Sequence, residues 1–315
     1  MRVVLGVVVV VAGWQTYSVF HRVTKAASAK AGAKEPDAKA LDAAQIQRDA
    51  DEGSAGAAFG MTPLDVPQAK GPLPVEDLVA RSHRADLLME KAEQLGDAKR
   101  TLEERAALNQ ALGLMDESPR AAEVRARLAA MNAGELLGRD LVANDPYAPV
   151  VAIGPGDSFQ KIARNFHLSS DLVGMLNPDV NPRKLRVGAG IKVVQGPFNV
   201  CVVRNEGRVD LYARDLYARS YNVHFEDGVF LPAGMYKVRS GGKVVTRNAA
   251  GVLLQRVEMI GTEGQEVRMA TFYASPTMRA PAAGGVVAGI RLEEADMAQL
   301  YAALVEDGSW VRVAE

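Results

Sequence analysis

The chain has 315 residues, with 37 Lys and Arg against 38 Asp and Glu and 48% hydrophobic residues, a length that suits about two domains of roughly 150 residues. A formal charge of −1 and a pI near 6.5 leave no basic face of the kind that draws nucleic acid, so no nucleic-acid partner is expected. The single cysteine, Cys201, excludes an intrachain disulfide and a cysteine-built zinc site, and His21, His83, His167 and His224 are too scattered to suggest a metal cluster; no metal and no cofactor are expected.

Residues 3–13 (VVLGVVVVVAG) carry no charge, and Trp14, Tyr17 and Phe20 extend the apolar run. The total, about 18 residues, is near the lower limit for crossing a bilayer core, and the aromatic rings suit the membrane interface. Arg2 before an apolar run also fits a secretory signal peptide. The best cleavage candidate, Ala27-Ser28-Ala29, lies beyond Arg22 and Lys25 and far from the run. Residues 1–21 are therefore read as an uncleaved anchor, with a signal segment as the alternative. His21, Arg22, Lys25, Lys30 and Lys34 put more positive charge after the span than before it, which by the positive-inside rule alone keeps the remainder cytoplasmic. The domain content below argues for the opposite side. Residues 26–70 hold 14 alanines and one aromatic, Phe59. Such a stretch buries too little apolar surface to offset its ordering entropy, so 22–71 reads as a disordered Ala-rich tether.

From Pro74 the apolar period becomes 3.6. Val75, Leu78, Val79, Leu88 and Leu95 mark one helix face, with Gly96 as its stop. Asp97 is placed to cap a second helix carrying Leu102, Leu108, Leu112 and Met115. Ser118-Pro119 opens a third with Val124, Leu128 and Met131. This helical segment, 72–143, is either a partner-binding repeat unit or a spacer, and the spacer is preferred. His83 falls on its polar side.

Residues 149–195 predict β-α-α-β. Pro149 to Ile153 is a short strand, Gly154 to Ser158 a turn, and Ser158 or Asp157 caps a helix opening with Phe159. Ile162, Phe166, Leu172 and Leu176 form the buried side of two short helices. Asn177-Pro178 ends the second, because proline disfavours helical geometry in its predecessor. Leu185-Arg186-Val187-Gly188 then leads to the strand Ile191 to Val194. In its Gly-Asp-Ser turn, the Ile-Ala of the first helix, the Leu-Asn-Pro ending the second and the Leu-x-Val-Gly before the last strand, this stretch resembles a LysM domain (148–195). The resemblance implies binding of N-acetylglucosamine-containing glycans, in bacteria usually peptidoglycan. By position it places the sugar between Gly156, Asp157, Ser158 and Phe159 on one side and Leu176, Asn177, Pro178 and Asp179 on the other. His167 is read as a surface residue.

Residues 196–315 predict strands at 200–203, 209–212, 217–225, 232–238, 267–273 and 290–292, an amphipathic helix from Glu293 to about Val305, and a last strand at 310–313. In the opening strands, the Pro-x-Gly-x-Tyr at 232–236, the Ile-Arg-Leu before the helix and the Leu-Tyr-x-x-Leu…Gly-Ser-x-Val ending, this part resembles an L,D-transpeptidase catalytic domain of the YkuD type. That family's chemistry uses a cysteine in a Ser-His-Gly-Cys-x-Arg motif and a second histidine upstream, the imidazole taking the thiol proton. Here Val286, Val287, Ala288 and Gly289 stand in place of Ser, His, Gly and Cys, and Thr271-Phe272-Tyr273-Ala274 stands in place of the upstream segment. Arg291 alone survives from the motif. Cys201 reads as a small buried residue, His224 is far from it in sequence, and Ser275 and Thr277 have no base nearby.

The expected fold class is a multidomain α+β protein with an N-terminal membrane helix, a helical hairpin segment, a βααβ LysM module and a C-terminal mostly-β L,D-transpeptidase-like domain. The expected function is peptidoglycan binding from the inner membrane, the folded domains facing the periplasm, with an inactive transpeptidase-like domain and no catalytic residues. The alternatives are an active wall-modifying enzyme with another nucleophile and an assembly scaffold acting through its helical segment. The expected partners are glycan strands and the membrane; protein partners stay open.

Overall fold

The computed structural model describes residues 75–115, 118–225, 231–247, 249–251, 253–262, 269–274 and 288–314, all within one compact unit. The expected anchor, 1–21, and tether, 22–71, lie outside the described residues. No helix among the described residues is long and apolar enough to cross a membrane. The architecture is mixed α+β: helices first, then a small βααβ unit, then a mostly-β part.

Helices α1 (Val75–Asp97), α2 (Thr101–Leu112) and α3 (Pro119–Glu135) follow one another. The expected face of α1 is corrected. The helix buries Ala85, Ala92 and Leu95, while Leu78 and Val79 stay 38% and 64% exposed. Small residues win because they let α2 come close with Ala107, Leu108 and Ala111. The expected stop and cap are corrected too. Gly96 is inside α1, where a β-carbon would stand 3.1 Å from Glu104 and Arg127 side-chain atoms. The chain reverses at Lys99 (φ 57°), with Lys99 N–H bonded to Gly96 O and Arg100 N–H to Leu95 O, the paired bonds of a left-handed helix stop. Arg100, not Asp97, precedes α2. At α3 the reading from sequence matches: Ser118 Oγ accepts from Ala121 N–H at 3.2 Å, Pro119 opens the helix, and Val124 and Leu128 are buried.

These helices dock on the mostly-β part. Asn109 of α2 accepts from Tyr217 N–H at 2.9 Å and donates to Asp215 O at 3.1 Å, and Asn132 of α3 donates to Tyr217 O at 2.7 Å. Side-chain amides thereby occupy backbone groups that an edge strand would otherwise leave open to pairing.

The βααβ unit is β1 (Val150–Ala152), α4 (Phe159–Asn165), α5 (Ser170–Leu176) and β2 (Gly190–Lys192), with β1 and β2 antiparallel. Ile162, Leu172 and Leu176 are buried as the pattern predicts, and Phe166 is partly buried.

The C-terminal part comprises β3 (Phe198–Val203), β4 (Arg208–Ala213), β5 (Leu216–Asn222), β6 (His224–Phe225), β7 (Gly234–Arg247), β8 (Leu253–Gly261), β9 (Met269–Tyr273), β10 (Ala288–Arg291), α6 (Glu294–Ala303) and β11 (Trp310–Ala314). The strand order is β5-β4-β3-β11-β7-β8-β9-β10-β6. The two outer strands, β5 and β6, are joined by Val223 alone, so the sheet must curl round into a near-barrel. Strand β8 is absent from the sequence reading. Its apolar residues come in adjacent pairs, Leu253-Leu254 and Met259-Ile260, instead of alternating. Its partner β7 continues past Val238 through a register shift to Lys243 and on to Arg247. The core runs unbroken from Leu136 and Leu137 after α3, through Ile162 and Leu172, to Val257, Phe272 and Leu300.

Candidate functional site

The turn after β1 shows what its polar residues already do. Gly156 takes φ 75°, and a β-carbon there would meet nothing within 4 Å, so glycine is required by the backbone conformation alone. Asp157 Oδ2 accepts from Gly154 N–H at 2.7 Å, and Oδ1 pairs with Lys161 Nζ at 3.1 Å. These two contacts hold its carboxyl below the usual carboxylate range, the Gly154 bond contributing most. Ser158 Oγ caps α4 by accepting from Lys161 N–H at 3.1 Å. Phe159 and Leu176 are buried.

Asn177 is the most heavily bonded of the eight expected site residues. Its amide nitrogen donates to Val173 O at 2.9 Å and Lys192 O at 2.8 Å, and its oxygen accepts from Lys192 N–H at 2.8 Å. The side chain therefore ties the end of α5 to β2. Pro178 and Asp179 are exposed, and Asp179 pairs with Arg139 at 3.1 Å on the surface.

Lys192 itself is 3% exposed. Its ammonium donates to the backbone oxygens of Glu135 (2.6 Å), Asp140 (2.7 Å) and Gly138 (2.8 Å), with Gly134 O at 3.4 Å. These are the last carbonyls of α3 and those of the loop that follows it, where a cation is favoured. Burial pushes this ammonium down to about 8, against the pull of Asp140, Asp145 and Glu135. Nearby, Arg105 pairs with Asp145 at 2.6 Å, both side chains being buried.

An open cleft of about 670 Å³ lies beside α5. It brings together three of the expected residues, Phe159, Asn177 and Pro178, with Met175, Val180 and Pro182. Ser170, Asp171 and Gln255 supply polar groups, and Ala298, Tyr301 and Ala302 of α6 close the far wall. Gly156, Asp157, Ser158, Leu176 and Asp179 do not line it. The sequence reading missed Met175, Asp171, Gln255 and Tyr301. For Met175 the sequence offers only its place beside the Asn177-Pro178 helix stop; the structure leaves it 43% exposed. Gln255 carried none, since it reaches the cleft only by tertiary packing.

The two segments aligned with the transpeptidase motifs lie side by side as parallel strands, Gly289 opposite Thr271 and Arg291 opposite Tyr273. On the other flank Thr271 faces Glu258 and Arg291 faces His224. Glu258 is buried, accepting from Arg239 Nε at 3.0 Å and pairing with Arg256 at 2.8 Å. Thr271 is fully buried and its hydroxyl has no hydrogen-bond partner among the described residues. A hydroxyl nucleophile needs a base within hydrogen-bond reach, and the neighbouring carboxylate is already shared between two guanidinium groups. Cys201 on β3 is 8% exposed, whereas His224 on β6 is exposed. Val286, Val287, Ser275 and Thr277 lie outside the described residues.

No protein-family model matches the chain, and no curated protein matches it. Solved structures similar to it include L,D-transpeptidase 1 of Mycobacterium tuberculosis, at 13% identity and a TM-score of 0.26 over 40% of this chain and 67% of that one. An L,D-transpeptidase from Stackebrandtia nassauensis matches at 17% identity and 0.27, over 39% and 57%. One from Mycobacterium smegmatis matches at 15% and 0.26, over 41% and 65%. The chain thus spans 57% to 67% of those proteins' lengths. Superpositions of this size fix no function, which has to come from the residues themselves.

Proposed function

We propose that the protein is a peptidoglycan-binding protein of the bacterial cell envelope, tethered to the inner membrane by its N-terminal segment with the folded part in the periplasm. The βααβ unit acts as a LysM module, and the C-terminal part is an L,D-transpeptidase-like domain without catalytic function. One observation carries the binding half: the unit that bears the LysM-like motifs also borders an open cleft with apolar walls and a few polar groups, the kind of surface that packs on sugar faces and bonds their hydroxyl and acetamido groups. The inactive half is supported by the row Glu258, Thr271 and Gly289, which holds neither thiol nor imidazole where the resemblance would place them.

The test is cosedimentation of the protein with purified peptidoglycan sacculi. Removing residues 149–195 would strip Ile162, Leu172 and Leu176 from a core shared with the sheet, so point variants are the cleaner tool. Met175→Asp, at an exposed position on the cleft, should abolish pelleting while leaving the fold intact. A folded Met175→Asp variant that pellets like wild type would overturn the assignment of the cleft, and a wild-type protein that stays in the supernatant would overturn the function.

A further inference from the structure

The cleft beside α5 does not end at Asp171. Ser170, Asp171 and Tyr301 also line a second cleft, of about 550 Å³, so the two adjoin at these residues and are taken together as the two arms of one groove. The arms differ in chemistry. The first is walled by apolar side chains. The second gathers charges of both signs: Arg164 and Lys243 line it together with Asp171, Glu306 and Asp307.

Lys243 is the central group of the charged arm. It sits just past the register shift in β7, with its main-chain N–H bonded to Glu306 Oε1 at 3.0 Å. Its ammonium donates to Leu304 O at 2.8 Å and stands 4.3 Å from the centre of the Tyr301 ring. An ammonium has three N–H donors. One goes to Leu304 and one side is turned to the ring, so donor capacity remains for a ligand in the groove. Asp171, at the start of α5, lines both arms and is exposed.

A neutral polymer would make no use of these charges, and a purely acidic or purely basic one would meet like charge on one side. A substituent carrying both signs finds a partner for each. We propose that the groove is a single binding site shared by the βααβ unit and the C-terminal part, and that its ligand is a glycan carrying a peptide with free carboxylate and amino groups. The sugar rings lie against Met175, Pro178 and Pro182, the carboxylate meets Lys243, and the amino group meets Asp171. This assignment rests on the glycan-binding reading above and adds that the sheet supplies part of the site.

Calorimetry on the full chain decides it, comparing an N-acetylglucosamine oligosaccharide with a disaccharide–peptide fragment of peptidoglycan. The peptide-bearing glycan should bind about tenfold more tightly, the worth of one charge-assisted hydrogen bond. Lys243→Met should erase that margin. Asp171→Asn, at an exposed position where folding is not at stake, should shrink the margin as well. Gln255→Ala should weaken both ligands, because Gln255 belongs to the sheet and lines the sugar arm. Equal wild-type affinity for the two ligands, or a margin that survives both charge variants, would overturn the shared groove and leave glycan binding standing. Failure of both ligands to bind would overturn the glycan reading together with the groove.

Discussion

Lys192 and Lys243 stand at two different joints of the molecule, and in both cases burial pushes the ammonium down to about 8. Their surroundings differ in one decisive respect. Lys192 meets three backbone oxygens within 2.8 Å and a fourth at 3.4 Å, which saturates its donors. Lys243 donates to one carbonyl and lies over one ring, beside an open cleft. A buried charge whose donors are all used is a structural joint; one with donors left over beside a cleft is equipped to hold something else. The same distinction separates Asn177, whose amide is filled by Val173 and Lys192, from Gln255 and Asp171 along the same groove.

The largest effect should come from Lys192→Met. It leaves the carbonyls at and after the end of α3 without their cation and the Arg105, Glu135 and Asp145 cluster without a neighbour, at a cost of about 3 kcal/mol. Urea denaturation should show that loss, while glycan affinity measured on folded protein stays at the wild-type value. A small stability change with lost binding would reverse the roles assigned to the two lysines.

The next effect sharpens the comparison by pH. Between the folded value near 8 and the ordinary 10.5, the unfolded chain still holds a proton that folded Lys192 has released. Stability therefore rises with pH across that window, and the full cost of burying the ammonium applies below it. From pH 7.5 to 9.5 the contribution of Lys192 should amount to about 2 kcal/mol. Lys243 acts in the same direction and is retained in Lys192→Met, so the difference between wild type and variant isolates Lys192. A gap that does not widen over this range would mean that the carbonyl cage keeps the ammonium charged.

Asn177→Ala should cost about 1.5 kcal/mol, since it breaks the tie between α5 and β2 and removes the side-chain partner of both the Lys192 N–H and the Lys192 O. Binding by the folded fraction should change by less than about threefold, because the amide has nothing left to offer a sugar. A much larger loss of affinity at equal folded population would restore Asn177 as a direct contact.

Legibility from sequence followed the range of the interaction. The Ser118 and Ser158 caps, the stop at Asn177-Pro178 and the order of the βααβ unit are local, set by residues within a few positions of one another, and all were readable. The apolar face of α1 was misread because alanines carry little hydrophobic signal yet permit the closest helix approach. Strand β8 was missed because its paired apolar residues break alternation and its place is fixed by β7 and β9. The groove was legible only in its near half. Phe159, Asn177 and Pro178, three of the eight residues named from sequence, border it, whereas Gln255, Tyr301 and Lys243 lie 65 or more positions further along the chain than Pro178. Nothing in their local sequence marks them.

The smallest expected effect is no effect. Placing histidine and cysteine together, as Val287→His with Gly289→Cys, returns two members of the transpeptidase motif by sequence. The register puts position 289 beside Thr271, on a strand where Met269 to Tyr273 contains no histidine, and the adjoining carboxylate, Glu258, is engaged by Arg239 and Arg256. A nucleophile depends on what surrounds it, as the two lysines do, and the row of Glu258, Thr271 and position 289 carries no imidazole to orient or deprotonate the thiol, His224 standing two positions along, opposite Arg291 on the paired strand. Gly289 is also buried, so the new side chain must displace neighbours before it can react. Mass spectrometry of muropeptides incubated with the double variant should therefore show cross-linked products at the background level of wild type. Products above that level would mean that this strand pair keeps more of a catalytic geometry than its residues display.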